Sequence, residues 1–339
     1  MPEIRLNVSN ICNFSCKYCH VFNLNKNNLP VMVMPFDLMD SAVESYISLH
    51  KDFGESHMNV NFYGGEPLVN FKNIKRLVEK YSNDADIDIT WSINTNGSLI
   101  NDEIAEFLKK YRFDVHLSCD GPKEVHDRNR IDKFGVGTFD RVAKGLALLQ
   151  KYDVKRQINS NTFALPDDTQ ELHNLVDLAI FYGVKNIVID FGCGNLAQTD
   201  VVNKFCEIMR YGREQGVNVF GPWSVFTPRM AQKRKMYYEG LRGINVNVNG
   251  TFFFNVYPLS KNTSLTIRNM KKIFLSEDYK RFLNSVNNYF IKRCNNCYLC
   301  SYCLGWIIIS HQFHTLQEEG YQTLCQYTRE ILSNHEPIS

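Results

Sequence analysis

The chain alternates between two kinds of hydrophobic pattern. Apolar or β-branched runs, each closing on small or polar residues, occur at IRLNVSN (4–10), VNFYGGEP (60–67), DITWSINTNG (88–97), VHLSCDG (115–121), RQINSNTF (156–163) and NIVIDFGCG (186–194), and each reads as a strand. Between them, near 38–50, 71–82, 101–110, 138–151 and 168–182, apolar residues recur at three and four positions, the helical period. Six strand-helix alternations predict an α/β fold with a right-handed, curled parallel sheet, its strand-end loops gathered on one face. Beyond about residue 196 the alternation stops. A helical stretch (200–215), a polar and aromatic connection, a hairpin-like pair at 244–257 around Asn249-Gly250 and a helical pattern at 274–288 follow.

Length suits two lobes: 339 residues exceed an ordinary single sandwich or bundle. Lysine plus arginine (38) nearly balance aspartate plus glutamate (36), so no global basic field is available to hold nucleic acid or an anionic membrane. No apolar run approaches the ~18 residues of a membrane span, and MPEIRLNVSN lacks the regions of a signal peptide. A cytoplasmic protein is expected. In that reducing compartment, eleven cysteines point to metal rather than disulfides.

Seven of those cysteines fall in two knots. Cys12, Cys16 and Cys19 form the first and Cys294, Cys297, Cys300 and Cys303 the second, with Cys325 trailing and Cys119, Cys193 and Cys206 scattered. A tetrahedral zinc site wants four ligands, and the first knot supplies three unless His20 completes it. On a cubane iron-sulfur cluster, three thiolates leave one iron free to bind a small molecule.

The triplet CNFSCKYC, with aromatic Tyr18 before its last cysteine, and the run GGEP (64–67) together resemble the radical S-adenosylmethionine (SAM) enzymes over residues 3–195. The resemblance implies a partial (β/α)6 barrel and a 4Fe-4S cluster on Cys12, Cys16 and Cys19, whose fourth iron binds the amino and carboxylate groups of SAM. Reduction of that cluster then releases a 5′-deoxyadenosyl radical. Gly64 and Gly65 are expected to let the backbone approach the methionine amino group, with Glu66 supplying charge or rigidity nearby. Asn94 and Asn96 are candidates for the methionine end, Ser118 and Asp120 for the ribose, and Arg130 for the carboxylate. GGEP, Asn-Gly and Asp-Gly-Pro are also common turn signals; their joint placement after successive strands is what the turn reading leaves unexplained.

The second knot, RCNNCYLCSYC with Cys325, resembles the SPASM extension of radical SAM enzymes that modify peptides, giving a smaller SPASM/twitch-like cluster-binding lobe. The resemblance implies barrel residues 1–195, a helical connection at 196–243 and the cluster lobe at 244–339. Carried onto this chain, it assigns Cys294, Cys297, Cys303 and Cys325 to an auxiliary 4Fe-4S cluster. Cys300 is surplus, or stands in for Cys303. Asn255 and Ile307 occupy positions where the family places ligands of another cluster, so one auxiliary cluster is expected. A zinc ribbon is the alternative for this knot.

The resemblance implies an oxidoreductase acting on a ribosomally made precursor peptide, with a carbon-carbon, ether or thioether crosslink as the favoured product. Epimerisation, formylglycine formation, a small-molecule dehydrogenase and, from another class, an iron-sulfur electron-transfer or scaffold protein are the alternatives. Flavodoxin or ferredoxin is the implied reductant. Leader recognition falls to the C-terminal lobe, to a separate leader-binding protein or to neither, and residues 22–36 line a peptide channel or form a surface loop. Cys193, after the sixth strand, is a candidate hydrogen-atom donor and Asp190 a candidate base.

Overall fold

The computed structural model describes residues 3–19, 31–82, 87–162, 169–191, 201–221, 243–254, 266–277 and 279–281. Its centre is a nine-stranded sheet. The strands are β1 (Glu3–Ser9), β2 (His57–Gly64), β3 (Asp88–Thr95), β4 (Asp114–Ser118), β5 (Arg156–Thr162), β6 (Asn186–Phe191), β7 (Asn218–Phe220), β8 (Ile244–Val246) and β9 (Phe252–Phe254). Their order is β7-β6-β5-β4-β3-β2-β1-β8-β9. Strands β1 to β8 run parallel and β9 returns antiparallel to β8.

The crossovers are right where the helical period places them: α1 (Phe36–Asp52), α2 (Phe71–Tyr81), α3 (Asp102–Lys110), α5 (Phe139–Lys151), α6 (Thr169–Phe181) and α7 (Val201–Glu214). A short α4 (Lys123–Asn129) precedes α5. Local chemistry fixes the starts. Asn101 accepts the N–H of Ile104 at 2.9 Å to cap α3, and Asp127 on α4 accepts the first N–H groups of α5, those of Thr138 and Phe139, at 2.7 and 2.8 Å.

One sheet face packs on these helices through Ile4, Leu6, Val8, Met58, Val60, Phe62, Ile93, Val115 and Leu117, all fully buried. Phe62, Trp91, Phe107 and Phe113 stack at its centre, with ring centroids 5.7–6.4 Å apart. The opposite face is polar. Alternation along the strands puts Arg5, Asn7, Asn59, Asn61, Ser92, Asn94, Asp114, His116, Ser118, Gln157 and Asn159 on it. A parallel sheet covered on both faces has apolar residues on both; a polar face means a lumen. Right-handed crossovers in a parallel sheet of this kind curl it around that face.

The structure departs from the sequence expectation at three points. Alternation does not stop at 196: α7 leads into a seventh parallel strand, too short at three residues to show a period. The expected hairpin exists, but β8 hydrogen-bonds along β1 and so extends the barrel sheet. The helix anticipated at 274–288 begins earlier, as α8 (Met270–Phe274), and is interrupted at Leu275 and Ser276 before helical residues resume at 277. No helix among the described residues is long and apolar enough to cross a membrane.

Candidate functional site

The cysteine loop leaves the C-terminal end of β1, where Ser9 accepts the N–H of Ile11 at 3.0 Å and turns the chain. Two backbone bonds brace it from α4 and the turn beyond: Ser15 N donates to Ile131 O at 2.7 Å and Lys17 N to Asn129 O at 2.9 Å. Cys12, Cys16 and Cys19 are partly buried, and none is in a disulfide. Burial pushes the Cys12 thiol up to about 12 and raises that of Cys16, where the Arg130 guanidinium opposes it. Among the described residues no three His, Cys, Asp or Glu side chains converge on a point where one ion could sit. Three soft thiols on one braced loop suit a cluster with several metal atoms; His20, the fourth ligand of the zinc alternative, lies outside the described residues.

Gly64 and Gly65 are needed for packing as well as for the expected approach to SAM. A Cβ on Gly64, whose φ is +141°, would lie 2.2 Å from Ser9 O, and one on Gly65 would lie 2.5 Å from Ile11 O and 3.2 Å from Cys12 Cβ. Their absence lets Gly65 N reach Ser9 O at 2.6 Å and Glu66 N reach Ile11 O at 2.9 Å. The glycines therefore seat the first cysteine against the end of β2.

Glu66 supplies rigidity. It is fully buried, and its carboxylate accepts the Thr95 hydroxyl at 2.7 Å, the Asn96 N–H at 2.8 Å and the Leu68 N–H at 3.0 Å. Burial outweighs these donors and raises its pKa to about 7. Asn96 is thereby aimed at the loop: its Nδ2 lies 3.0 Å from Asn13 Oδ1 and 3.9 Å from Cys12 Sγ. Asn94 lies one residue pair lower on the inner face, accepting from Asn61 Nδ2 at 3.1 Å.

A second tie joins the loop to β4 and β5. The buried Asp120 carboxylate accepts the Tyr18 hydroxyl, the Asn161 N–H at 3.0 Å and a guanidinium N–H of buried Arg130 at 2.9 Å. Arg130 also lies over the Tyr18 ring, 5.3 Å from its centroid. Ser118 ends β4 opposite Asn159.

The structure thus brings Cys12, Gly65, Glu66 and Asn96 into one contact set and Tyr18, Asp120 and Arg130 into another, on two sides of one loop. Asp190 is in β6, in register with Asn161; its side chain, together with His20, residues 22–30, Cys193, Asn255, the second knot (Cys294, Cys297, Cys300, Cys303), Ile307 and Cys325, lies outside the described residues. Sequence reasoning missed Asn13 in the loop, the inner-face amides other than Asn94, and His116. For the strand residues the signal was the polar parity of each strand.

Residues 6–179 match the family model of the radical SAM superfamily. The chain belongs to that superfamily. A radical SAM cyclopropyl synthase from Paramaledivibacter caminithermalis is 28% identical over 90% of this chain and 67% of its own length. A cysteine-type anaerobic sulfatase-maturating enzyme from Clostridium perfringens is 36% identical over 47% of this chain and 44% of its own length, so the chain spans less than half of that relative. Among solved structures, native anSMEcpe with bound AdoMet superposes with a TM-score of 0.71 at 22% identity, over 98% of this chain and 97% of that one. SuiB of Streptococcus suis with bound S-adenosylmethionine gives 0.62 at 17%, over 89% and 72%. These two show the radical SAM fold. Membership implies SAM and a 4Fe-4S cluster, which the thiol loop and its braces fit.

Proposed function

We propose that this radical SAM protein modifies a ribosomally made peptide, closing a carbon-carbon, ether or thioether crosslink within it. The observation that carries the reading is the polar inner face opening at the same sheet end as the cysteine loop. Asn7 Oδ1 and Asn161 Oδ1 are buried there without a hydrogen-bond partner, acceptors of the kind that a peptide's N–H groups satisfy.

Cys12, Cys16 and Cys19 would hold the cluster, with Gly64, Gly65, Asn94, Asn96, Ser118, Asp120 and Arg130 around SAM. When bound, the pair supplies a 5′-deoxyadenosyl radical able to take hydrogen from an unactivated carbon. The protein's part is to hold the loop rigid through Glu66 and Asp120, to enclose the lumen, and to present one C–H bond. Asp190 is assigned as the base that takes a proton during closure. An auxiliary 4Fe-4S cluster on Cys294, Cys297, Cys303 and Cys325 is assigned as electron acceptor, and flavodoxin or ferredoxin as reductant.

The cyclopropyl synthase supports ring closure, since its name denotes a product with a new carbon ring. The sulfatase-maturating relatives favour a second reading, formylglycine formation. The test is anaerobic incubation with SAM, dithionite and peptides encoded beside the gene, in deuterated water. Formation of 5′-deoxyadenosine with a peptide lighter by two hydrogens and unreactive toward hydrazide supports the crosslink. A hydrazide-reactive aldehyde supports formylglycine, and gain of one deuterium, abolished in Cys193→Ala, makes the protein an epimerase.

A further inference from the structure

Resting on the assignment of SAM to this site, we propose that the buried pair His126 and Thr138 are positioning residues for SAM. They fix Arg130 against Asp120 so that an unpaired N–H of the guanidinium is held for an oxygen of the bound cofactor. Arg130 is 7% exposed; its Nη2 lies 2.9 Å from Asp120 Oδ1, while its Nε is buried without a partner among the described residues. The guanidinium lies over the Tyr18 ring and acts electrostatically on Cys16, so it borders the thiol loop. A buried guanidinium N–H without an acceptor is costly, and an anionic ligand oxygen at the loop relieves that cost.

Both members of this ion pair belong to one closed circuit of hydrogen bonds. Arg130 N donates to His126 O at 2.9 Å, and Arg130 O accepts the Thr138 hydroxyl at 2.7 Å. His126 Nε2 lies 3.0 Å from Thr138 Oγ1, and Asp120 N lies 3.4 Å from His126 Nδ1. Because Thr138 donates its hydroxyl proton to Arg130 O, its oxygen is left to accept from His126. That places the ring's N–H on Nε2 and leaves Nδ1 to accept from Asp120. Thr138 is set in turn by the next residue of α4: Asp127 accepts its N–H at 2.7 Å, and Gly137 makes room, since a Cβ there would lie 2.2 Å from Asp127 Cγ. The circuit runs from Asp120 N through His126 and Thr138 to Arg130, and returns through the guanidinium to the Asp120 carboxylate.

Packing alone does not call for these two residues. Both are fully buried, where an apolar ring and a valine would fill the space without desolvating polar atoms. Burial, then the charge of Arg130, push the His126 pKa down to about 4, with Lys123 reinforcing and Asp120 and Asp127 opposing. The ring is therefore neutral near pH 7, and each bond of the circuit keeps its direction. Hydrogen bonds weaken steeply off line, so the circuit sets where Arg130 stands relative to Asp120, and small displacements of a binding group are expensive.

The test is equilibrium binding of SAM to the cluster-loaded full chain, followed by the rate of 5′-deoxyadenosine formation with dithionite. Thr138→Val, which keeps the volume and removes the hydroxyl, is expected to raise the dissociation constant and KM for SAM about tenfold. Its kcat at saturating SAM should stay within twofold of the parent. His126→Phe should behave alike, and Thr138→Ser should return the constant to within twofold of the parent. In an Arg130→Gln background, Thr138→Val should add less than twofold, because its effect passes through the guanidinium. Binding needs neither peptide nor turnover, so the outcome is separate from that of the crosslink reading. Unchanged SAM binding in Thr138→Val and His126→Phe overturns the proposal. So does a loss that persists in full in the Arg130→Gln background, or a fall in kcat and Tm with KM unchanged, either of which would make the pair part of the scaffold alone.

Discussion

The Thr95 hydroxyl donates to Glu66 Oε1 at 2.7 Å, joining the C-terminal ends of β2 and β3 beneath the cysteine loop. Because burial raises the Glu66 pKa from 4.5 to about 7, the folded state binds this proton more tightly than the unfolded chain does. The increment to stability is full below the ordinary glutamate value and is lost as pH rises through about 7, amounting to about 3 kcal/mol. Thermal unfolding of the parent should therefore show a fall in Tm from pH 5 to 7.5 that Glu66→Gln flattens. Glu66→Ala, which strands three donors, should cost about 3 kcal/mol at any pH in that range. Equal pH slopes in parent and Glu66→Gln would refute the assignment.

Replacing Cys12, Cys16 and Cys19 together by alanine should abolish iron at the loop and 5′-deoxyadenosine formation, since the loop then has no thiolate left to hold a cluster. Iron quantitation and product analysis read both effects. Cleavage of SAM at the parent's rate by the triple variant would remove the basis of the functional reading.

The two glycines are expected to be intolerant for steric reasons that no ligand is needed to reveal. Gly64→Ala places a Cβ 2.2 Å from Ser9 O at a φ of +141°, and Gly65→Ala places one 2.5 Å from Ile11 O. Each should destabilise the chain by about 2–4 kcal/mol in denaturant titration without SAM or cluster. A neutral effect on stability with lost SAM binding would instead make ligand approach their main role.

Strand and helix positions were legible in the sequence because the two hydrophobic periods barely overlap: the predicted helix at 101–110 and the observed one at Asp102–Lys110 differ by one residue. What was hidden depended on neighbours distant in the chain. The three-residue strand β7 has no period of its own and forms along the edge of β6, and the pairing of the expected hairpin's β8 with β1 has no signal in either segment. The site was legible as motifs, but not in its division of labour. Nothing in GGEP shows that the Glu66 carboxylate is consumed by Thr95, Asn96 and Leu68, or that Asp120 is shared between Tyr18 and Arg130. Those contacts arise only when the strand ends are brought side by side.

For the C-terminal knot the expectation is two cubane clusters per chain, about eight irons in all. Cys300→Ala should keep both, while Cys297→Ala or Cys325→Ala should lose about half of the iron. Mössbauer spectroscopy with metal analysis decides it, and zinc at the knot, or iron for three cubanes, would overturn the ligand set.

The last prediction concerns His116. It lies on the inner face of β4 between Asn94 of β3 and Gln157 of β5 in register, two residues and about 7 Å below Ser118. Burial lowers its pKa from 6.5, with Asp114 and Glu3 opposing and Arg5 and Lys155 reinforcing the shift. Burial thus favours the neutral imidazole, whose Nε2 lies 3.9 Å from Asp114 Oδ1, and a neutral ring can accept a hydrogen bond from a substrate on the inner face. As a group with a depressed folded pKa, it should contribute stability above pH 6.5 that is lost on acidification. His116→Ala should leave loop iron and dithionite-driven SAM cleavage within about twofold, yet lower the modified peptide formed per 5′-deoxyadenosine by about tenfold, a loss of about 1.4 kcal/mol in positioning. His116→Gln, which keeps an acceptor, should restore part of that ratio. If both variants keep the parent's ratio, His116 supports the barrel floor and does not touch the substrate.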